Sequence, residues 1–277
     1  MEQQYKIENN GSFVLKHIFE CGQCFRWNEE LDGSYTGVFK NNVLNVKEQN
    51  HQIIFDGICD GDIKEIVTKY FDLERDYDEI KKQLSKIDEP LKNSIDYGSG
   101  IRLLNQDLWE TTISFIVSAN NNIPRIKGII SRMCEEFGKE ICDGIYSFPS
   151  ADALSKLSED DLKPLRSGFR AGYILDAAKK VAGKEIDLES IKNMDIVSAR
   201  LELQQIKGVG PKVAECTLLY GFHRLEAFPM DVWMKRAMKE LFAGMIPEDF
   251  GRYAGIAQQY IFNYSRTNPE LVKNKIS

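Results

Sequence analysis

The stretch LELQQIKGVGPKVAEC, residues 201–216, places two apolar helical turns before an abrupt Gly-Val-Gly and then opens a second helix at Pro211. Gly208 can take the positive φ that ends a helix without steric cost. Pro211 suits the first turn of the next helix, because its missing N–H would have no partner there. The stretch therefore predicts two helices joined by a tight glycine hairpin within residues 201–222.

The predicted hairpin has the features of an anion-binding corner. Gly208 and Gly210 let another molecule approach the backbone closely. The second helix presents unpaired N–H groups and the positive end of its dipole, which suit a phosphate. Such a seat needs few basic side chains, so it is compatible with a net charge of −6 and a pI of about 5.3. The glycines alone leave an ordinary helical corner without a ligand as an alternative.

A second landmark, FPMDVW at residues 228–233, lies downstream of the hairpin. Pro229 interrupts the chain, and Asp231 stands at the N-cap position of a helix predicted over Met234–Phe242. An aspartate at this position is usually only a cap. One of its carboxylate oxygens nevertheless remains free, so Asp231 can cap the helix and still face a cleft.

The composition limits the cellular setting and the cofactors. The sequence contains no run of eighteen apolar residues that could span a membrane, and its start lacks the features of a secretory signal. We therefore expect an intracellular protein whose cysteines are reduced. The six cysteines are scattered, and Cys21-Gly-Gln-Cys24 has no second pair at zinc-ligand spacing. We predict no metal site from them.

Two different periodicities divide the chain. Residues 12–56 alternate like antiparallel strands, with segments predicted at 24–27, 35–40, 43–47 and 52–55. After residue 60 the apolar residues recur at three and four positions, which is typical of helices. The prediction is an α+β fold, in which a small N-terminal domain with an antiparallel sheet and helices (1–98) precedes a mainly α-helical domain (99–277) carrying the hairpin.

With these motifs in place, the sequence resembles the helix-hairpin-helix DNA glycosylase superfamily, and within it the 8-oxoguanine DNA glycosylases of the human-type Ogg family. The resemblance covers nearly the whole chain and implies that the N-terminal sheet is similar to that of the TATA-binding protein. It rests on GQCFRW (22–27), YFDL (70–73), GIRLLNQDLWETTISFIVSANNNIPRI (100–126), GFRAGY (168–173), GVGPKVAEC (208–216), FPMDVW (228–233) and YAGIAQQYIF (253–262).

The resemblance implies a bifunctional enzyme that excises 8-oxoguanine from duplex DNA and then nicks the strand. Lys212 matches the lysine that attacks C1′ and forms a Schiff base, and Asp231 matches the carboxylate that stabilises the cationic transition state. A lysine attacks only as the neutral amine, so we expect Lys212 to lie in a cleft that disfavours its charge. As an alternative, most lysines are solvated surface charges.

The base pocket implied by the resemblance contains Gly22, Cys216, Gln258 and Phe262. Cys216 lies four residues after Lys212 and thus on the same helix face. Gln258 and Phe262 are also four residues apart, off the main apolar stripe of the last helix, which suits an amide that reads a base edge and a ring that stacks on the base. By resemblance, the Gly22 carbonyl accepts the N7–H that only the oxidised base carries. A small core thiol and a wide apolar helix face are the structural alternatives.

Contacts to the partner base and the DNA backbone follow from the same resemblance. Asn120, Arg125 and Arg170 match residues that contact the unpaired cytosine, and Gly208 and Gly210 match the phosphate-binding hairpin. Phe169 stands where the human-type enzyme has a wedging tyrosine, which puts strict selection of the opposite base in doubt. Trp233 replaces a histidine that contacts the DNA backbone, so we expect stacking or packing there.

Three other functions compete with this interpretation. An iron–sulfur endonuclease or adenine glycosylase would carry four cysteines after the hairpin, and this chain has none after Cys216. An alkyl-base glycosylase lacks the lysine, and a non-catalytic DNA-binding module would leave Lys212 exposed and dispensable. The main hypothesis implies a monomer that acts on DNA with 8-oxoguanine opposite cytosine, in the cytoplasm or nucleoid of a prokaryote or the nucleus of a eukaryote. It requires no cofactor, although the hairpin carbonyls could hold a structural cation.

Overall fold

The computed structural model describes residues 2–272, so the extreme ends of the two predicted domains, residues 1 and 273–277, lie outside the described residues. The N-terminal part forms an antiparallel sheet in the order β1-β5-β4-β3-β2. Its strands are β1 (Glu2–Glu8), β2 (Trp27–Glu29), β3 (Tyr35–Phe39), β4 (Asn42–Gln49) and β5 (Gln52–Ile58).

The predicted strands β3, β4 and β5 are confirmed, whereas the start of the sheet differs from the prediction. A short helix, α1 (Leu15–Phe19), occupies part of the region predicted as strands, and only Trp27 of the predicted segment 24–27 is in a strand. Aromatic packing explains this arrangement. The Phe19 ring stacks on Trp27 with centroids 4.2 Å apart, so α1 covers one face of the sheet.

The rest of the chain is mainly helical, which confirms the α+β class. A two-stranded ribbon, β6 (Glu140–Cys142) with β7 (Ile145–Tyr146), and three short 3-10 helices (Lys163–Leu165, Pro247–Tyr253, Pro269–Val272) interrupt it. The helices are α2 (Ile63–Tyr70), α3 (Tyr77–Leu84), α4 (Glu89–Tyr97), α5 (Leu108–Ser118), α6 (Ile123–Phe137), α7 (Ala151–Ser155), α8 (Arg170–Ala182), α9 (Leu188–Ile191), α10 (Ile196–Leu203), α11 (Pro211–Tyr220), α12 (Val232–Glu240) and α13 (Ala254–Thr267).

Two hydrophobic clusters form the core. One lies under the sheet and includes Trp27, Phe55 and Phe71, while the other is built by the helices. Helices α3 and α4 precede residue 98, yet their buried side chains belong to the helical cluster, where α4 packs against α13. The boundary at residue 98 stays a prediction. None of the helices within residues 2–272 is long and apolar enough to cross a membrane.

Candidate active site

A single cavity brings together six of the residues predicted for catalysis and base binding. Its walls come from the bend after α1, from α5, α11 and α13, and from the loop before α12. The lining residues are Gly22, Phe115, Lys212, Cys216, Tyr220, Pro229, Asp231, Gln258 and Phe262. These positions span most of the sequence, and the fold places them around one opening.

Lys212 is the second residue of α11 and is only partly buried. Its ammonium group donates a hydrogen bond to Ser118 Oγ at 3.2 Å and lies 5.1 Å from the centroid of the Phe115 ring. The position near the N-terminus of a helix disfavours a positive charge. Lys212 therefore lies in a cleft, where a hydroxyl and an aromatic ring contact its ammonium group.

Asp231 caps α12 as the sequence predicts, with its Oδ1 accepting a hydrogen bond from the Met234 N–H at 2.8 Å. The helix begins at Val232 and ends at Glu240, two residues earlier at each end than the predicted Met234–Phe242. No hydrogen bond from within residues 2–272 reaches the other carboxylate oxygen. Asp231 can thus serve as a cap while its free oxygen is available at the cavity.

Cys216 lies one turn after Lys212 and is almost completely buried. Burial raises the pKa of its thiol to about 11, and the neighbouring Lys212 opposes this shift only in part. The side chain is therefore a neutral thiol at physiological pH. It gives the cavity a polarizable wall rather than a second nucleophile.

Gly22 and the last helix form the opposite side of the cavity. Gly22 has a φ of +87°, and a Cβ added there would lie 3.2 Å from the Phe262 ring, so both the backbone and the neighbouring ring favour glycine. Gln258 is buried rather than exposed, and its side-chain amide donates to the Pro229 carbonyl at 3.1 Å. The buried face of α13 is wider than the predicted stripe, because Gln258 and Gln259 both belong to it.

The loop predicted to meet the unpaired base contains Asn120, which is exposed and has a φ of +48°. Arg170 lies behind this loop with only 2% of its surface exposed. Its guanidinium group donates to the carbonyls of Ala119 (2.9 Å from Nε) and Asn120 (2.9 Å) and to that of Ser167 (3.3 Å). Arg170 thus holds the loop in shape, whereas Arg125 is exposed at the surface.

Phe169 projects from the same surface with 59% of its side chain exposed. The Arg170 guanidinium lies 4.4 Å from its ring centroid, and the Tyr173 ring packs against it in a T-shaped arrangement with ring centroids 5.7 Å apart. Tyr173 in turn packs against the hairpin, because a Cβ on Gly208 would lie 2.3 Å from its ring. The exposed ring and the hairpin are therefore parts of one rigid surface.

The hairpin joins α10 to α11 and uses its two glycines differently. Gly208 has a φ of +86°, as predicted, and is in close contact with Tyr173. Gly210 is the N-cap of α11 in an extended conformation, and no atom lies within 4 Å of the position of an added Cβ. Gly208 thus allows the backbone its positive φ, while Gly210 leaves open space in front of the helix N-terminus.

Two further expectations concern Trp233 and metals. Trp233 is partly buried and packs against the helical core, with the Arg236 guanidinium 5.6 Å from its ring centroid. Within residues 2–272 no cluster of three or more His, Cys, Asp or Glu side chains could hold a metal ion.

Known proteins resemble the chain along most of its length. Residues 6–112 match the model of the 8-oxoguanine DNA glycosylase N-terminal domain, and residues 113–246 match that of the HhH-GPD superfamily of base excision DNA repair proteins. An N-glycosylase/DNA lyase of Saccharomyces cerevisiae is 33% identical over 261 residues, which cover 83% of this chain and 69% of that protein.

Solved structures agree with this result. The chain superimposes with a TM-score of 0.89 and 38% identity on the Clostridium acetobutylicum 8-oxoguanine glycosylase/lyase, which was solved with double-stranded DNA containing cytosine opposite 8-oxoG. The superposition covers 97% of this chain and 98% of the other. The chain belongs to the 8-oxoguanine DNA glycosylase family. A 3-methyladenine DNA glycosylase of Archaeoglobus fulgidus, at 21% identity and a TM-score of 0.73, shares the fold alone.

In this member of the 8-oxoguanine DNA glycosylase family, three residues that the sequence analysis did not single out contact the predicted site. Phe115 and Tyr220 line the cavity and stack on each other with centroids 5.2 Å apart. Ser118 holds the Lys212 ammonium. Phe115 and Ser118 lie in the sequence motif at residues 100–126. Helical periodicity assigns them to a buried face of the helix, but it does not show whether a buried side chain packs in the core or lines a cavity.

Proposed function

We propose that this protein is a bifunctional DNA glycosylase of base excision repair, which flips 8-oxoguanine out of duplex DNA, excises it and nicks the strand. The observation that carries the proposal is the single cavity whose lining joins Lys212, Asp231 and Cys216 to Gly22 and the aromatic residue Phe262. The likeness to an 8-oxoguanine glycosylase/lyase at 38% identity supports it.

In the first step, the neutral amine of Lys212 attacks C1′ of the damaged nucleotide. The C1′–N9 bond breaks, its electron pair leaves with the base, and the base takes up a proton. The free oxygen of Asp231 stabilises the positive charge that develops on the sugar. The attack requires the neutral amine, so Lys212 gives up a proton before or during this step.

In the second step, the amine and the opened sugar form a Schiff base. Removal of a proton from C2′ sends an electron pair into the conjugated system, and the C3′–O bond breaks with departure of the 3′ phosphate. Water then hydrolyses the imine and restores Lys212. An amine, a carboxylate and a proton acceptor suffice for these reaction steps, so we propose that the reaction needs no cofactor.

The base pocket recognises the lesion through contacts of different kinds. The Gly22 carbonyl accepts the N7–H of 8-oxoguanine, which guanine lacks. Phe262 stacks on the base, Gln258 bonds to its edge, and Cys216 lies against its face. A site that contains a buried acceptor rejects a base without the matching donor, because the acceptor would lose its partner.

The surrounding surface holds the duplex. Phe169 fills the gap left by the flipped base, as an apolar wedge can do. Asn120 and Arg125 face the unpaired cytosine, and the buried Arg170 supports the Asn120 loop from behind instead of contacting the base as the resemblance implies. Gly208 and Gly210 bring the backbone N–H groups of the hairpin to a phosphate. The hairpin carbonyls are a candidate seat for a structural cation. We propose that the enzyme acts as a monomer inside the cell, in the nucleoid of a prokaryote or the nucleus of a eukaryote.

Borohydride trapping tests the proposal directly. The protein is incubated with an 8-oxoguanine:cytosine duplex and reduced, and we expect a covalent complex that Lys212→Gln abolishes while duplex binding remains. Binding without trapping by the wild-type protein would contradict the bifunctional mechanism and favour a non-catalytic module. Trapping on duplexes with another damaged base, but not with 8-oxoguanine, would favour the glycosylase with a different substrate.

A further inference from the structure

Gln259, a buried residue next to the predicted base-reading Gln258, connects the active-site cavity to the chain segment at Gly22. Its amide donates a hydrogen bond to the Cys21 carbonyl at 2.9 Å. Its Oε1 accepts a hydrogen bond from the Tyr220 hydroxyl. Gln259 is fully buried and Tyr220 is 3% exposed. Loss of either partner would leave an unsatisfied polar group in a low-dielectric environment, so these contacts fix each other's orientation.

The contact at Cys21 fixes the peptide group on the N-terminal side of Gly22, whereas the Gly22 carbonyl belongs to the following peptide group, which Gly22 shares with Gln23. The Cys21 carbonyl and the Gly22 N–H belong to one planar unit, so holding the carbonyl oxygen orients the plane. On the other side of Gly22, the side-chain amide of Gln23 donates to the carbonyls of Ile18 at 2.9 Å and Arg102 at 2.8 Å. Gly22 is therefore held from both sides.

The Gly22 carbonyl itself is left available. No hydrogen bond among residues 2–272 uses it as an acceptor, and Gly22 lines the cavity. A hydrogen bond weakens steeply when donor and acceptor are misaligned. A carbonyl that distinguishes N7–H from a bare N7 therefore depends on a backbone that cannot rotate away.

We propose that Gln259 and Tyr220 are positioning residues that fix the Gly22 carbonyl for recognition of the flipped base. The inference rests on the proposed excision of 8-oxoguanine. Tyr220 has two separable parts, because its ring stacks on Phe115 at an interplanar angle of 17° while its hydroxyl bonds to Gln259 and makes a longer contact of 3.5 Å with Gln258 Oε1. Removal of the hydroxyl alone therefore tests the positioning role without disturbing the packing of the ring.

Two substrates separate base recognition from the later chemistry. Single-turnover excision is measured on an 8-oxoguanine:cytosine duplex, and strand cleavage is measured on a duplex with a preformed abasic site, which has no base to recognise. We expect Tyr220→Phe and Gln259→Leu to slow excision about ten-fold while changing abasic-site cleavage less than about two-fold. The double variant should be slower than Gln259→Leu by no more than the small contribution of the long contact between the Tyr220 hydroxyl and Gln258, since both changes break the same bond to Gln259.

A control and a rescue variant complete the test. Ser265 lies on the same helix, is fully buried and has no hydrogen-bond partner among residues 2–272, so Ser265→Ala should leave both rates unchanged. Gln259→Glu keeps the acceptor for Tyr220, and its protonated form can donate to the Cys21 carbonyl. Excision by Gln259→Glu should therefore recover at low pH and fall as the pH rises, a profile that Gln259→Leu lacks.

The outcomes distinguish the inference from the function on which it rests. Equal loss on both substrates in Tyr220→Phe and Gln259→Leu would indicate a purely structural role and overturn the inference, as would unchanged excision in both. The same excision-versus-pH profile for Gln259→Glu and Gln259→Leu would also overturn it. A wild-type protein that cleaves abasic sites but does not excise 8-oxoguanine would overturn the proposed function, and the inference with it.

Discussion

The Lys212 ammonium donates to Ser118 Oγ at 3.2 Å, and the Ser118 hydroxyl donates its own proton to the Phe115 carbonyl at 2.7 Å. Because that proton is committed to the carbonyl, the oxygen lone pairs of Ser118 remain to accept from Lys212. The residue that follows Ser118 is Ala119, whose carbonyl is held by Arg170. The Lys212 ammonium is thus anchored to the end of α5, directly before the loop that carries Asn120.

Removal of this anchor should slow chemistry without weakening DNA binding. For Ser118→Ala we expect single-turnover excision to fall about five- to ten-fold, which corresponds to the loss of one hydrogen bond that orients the amine. Ser118→Thr keeps the hydroxyl and should recover most of the rate. An alanine variant that excises at the wild-type rate would contradict the orienting role of Ser118.

Asp231 should show two separable contributions. Asn and Asp are equally good N-caps, so Asp231→Asn should keep the stability of α12 while lowering excision by roughly 10²-fold or more through the lost charge. Asp231→Ala should lose both, with a destabilisation of about 1 kcal/mol. Thermal melts and single-turnover rates of the two variants measure these effects. Equal activity of Asp231→Asn and the wild-type protein would show that the carboxylate is only a cap.

The two hairpin glycines should respond oppositely to alanine. Gly208→Ala places a Cβ 2.3 Å from the Tyr173 ring at a φ of +86°, so we expect a destabilisation of about 2 kcal/mol or more. Gly210→Ala meets no atom within 4 Å and should cost less than about 1 kcal/mol. It should instead weaken duplex binding, because the methyl group fills the space in front of the helix N-terminus. Denaturation and binding assays on both variants check the contrast, and undiminished binding by Gly210→Ala would argue against a phosphate there.

Selection of the opposite base should depend on Phe169. The exposed ring can wedge into the stack but cannot donate a hydrogen bond, so we expect the wild-type protein to discriminate only weakly between cytosine and the other opposing bases. Phe169→Tyr should sharpen this discrimination about three- to ten-fold, the value of one added hydrogen bond. Excision from duplexes with each of the four opposing bases measures the ratio. The same ratio in both proteins would remove the proposed effect of the missing hydroxyl.

Glu110 makes the stability depend on pH near neutrality. Burial raises its pKa from 4.5 to about 7, while the Arg26 guanidinium 3.4 Å away opposes the shift. The folded state therefore holds this proton more tightly than the unfolded state. The resulting stabilisation is complete below pH 4.5 and is lost as the pH rises through about 7. We expect the melting temperature to fall between pH 5 and pH 8 less steeply in Glu110→Gln than in the wild-type protein, and parallel curves would exclude this contribution.

Local signals predicted much of the fold. The positive φ of Gly208, the N-cap at Asp231 and the start of α11 at Pro211 each depend on the residue type and its nearest neighbours. Strand β1 was not predicted, because its apolar positions Tyr5 and Ile7 are few and its pairing partner β5 lies more than forty residues away. Helix α1 lies in a region where the sequence predicts strands, because it is only five residues long and depends on packing against Trp27.

The candidate site likewise contains relationships that the local sequence predicts and contacts that it does not. Lys212 and Cys216 share a helix, so spacing alone relates them. The contacts of Gln259 with Cys21 and of Lys212 with Ser118 join residues 238 and 94 positions apart. No periodicity encodes such pairs, because they depend on how complete helices pack. The resemblance supplies the residues predicted to touch the base, and the fold adds the side chains that contact those residues.

Arg170 affects the electrostatic potential of the surface around the Asn120 loop, in a chain whose net charge is −6. Its guanidinium is buried, and no carboxylate within residues 2–272 lies within salt-bridge distance of it. Desolvation lowers its pKa, but an arginine keeps its proton at physiological pH. The charge is thus screened little by solvent ions, and its field extends through the Asn120 loop to the surface. A positive potential can therefore persist there at salt concentrations that would neutralise an exposed lysine.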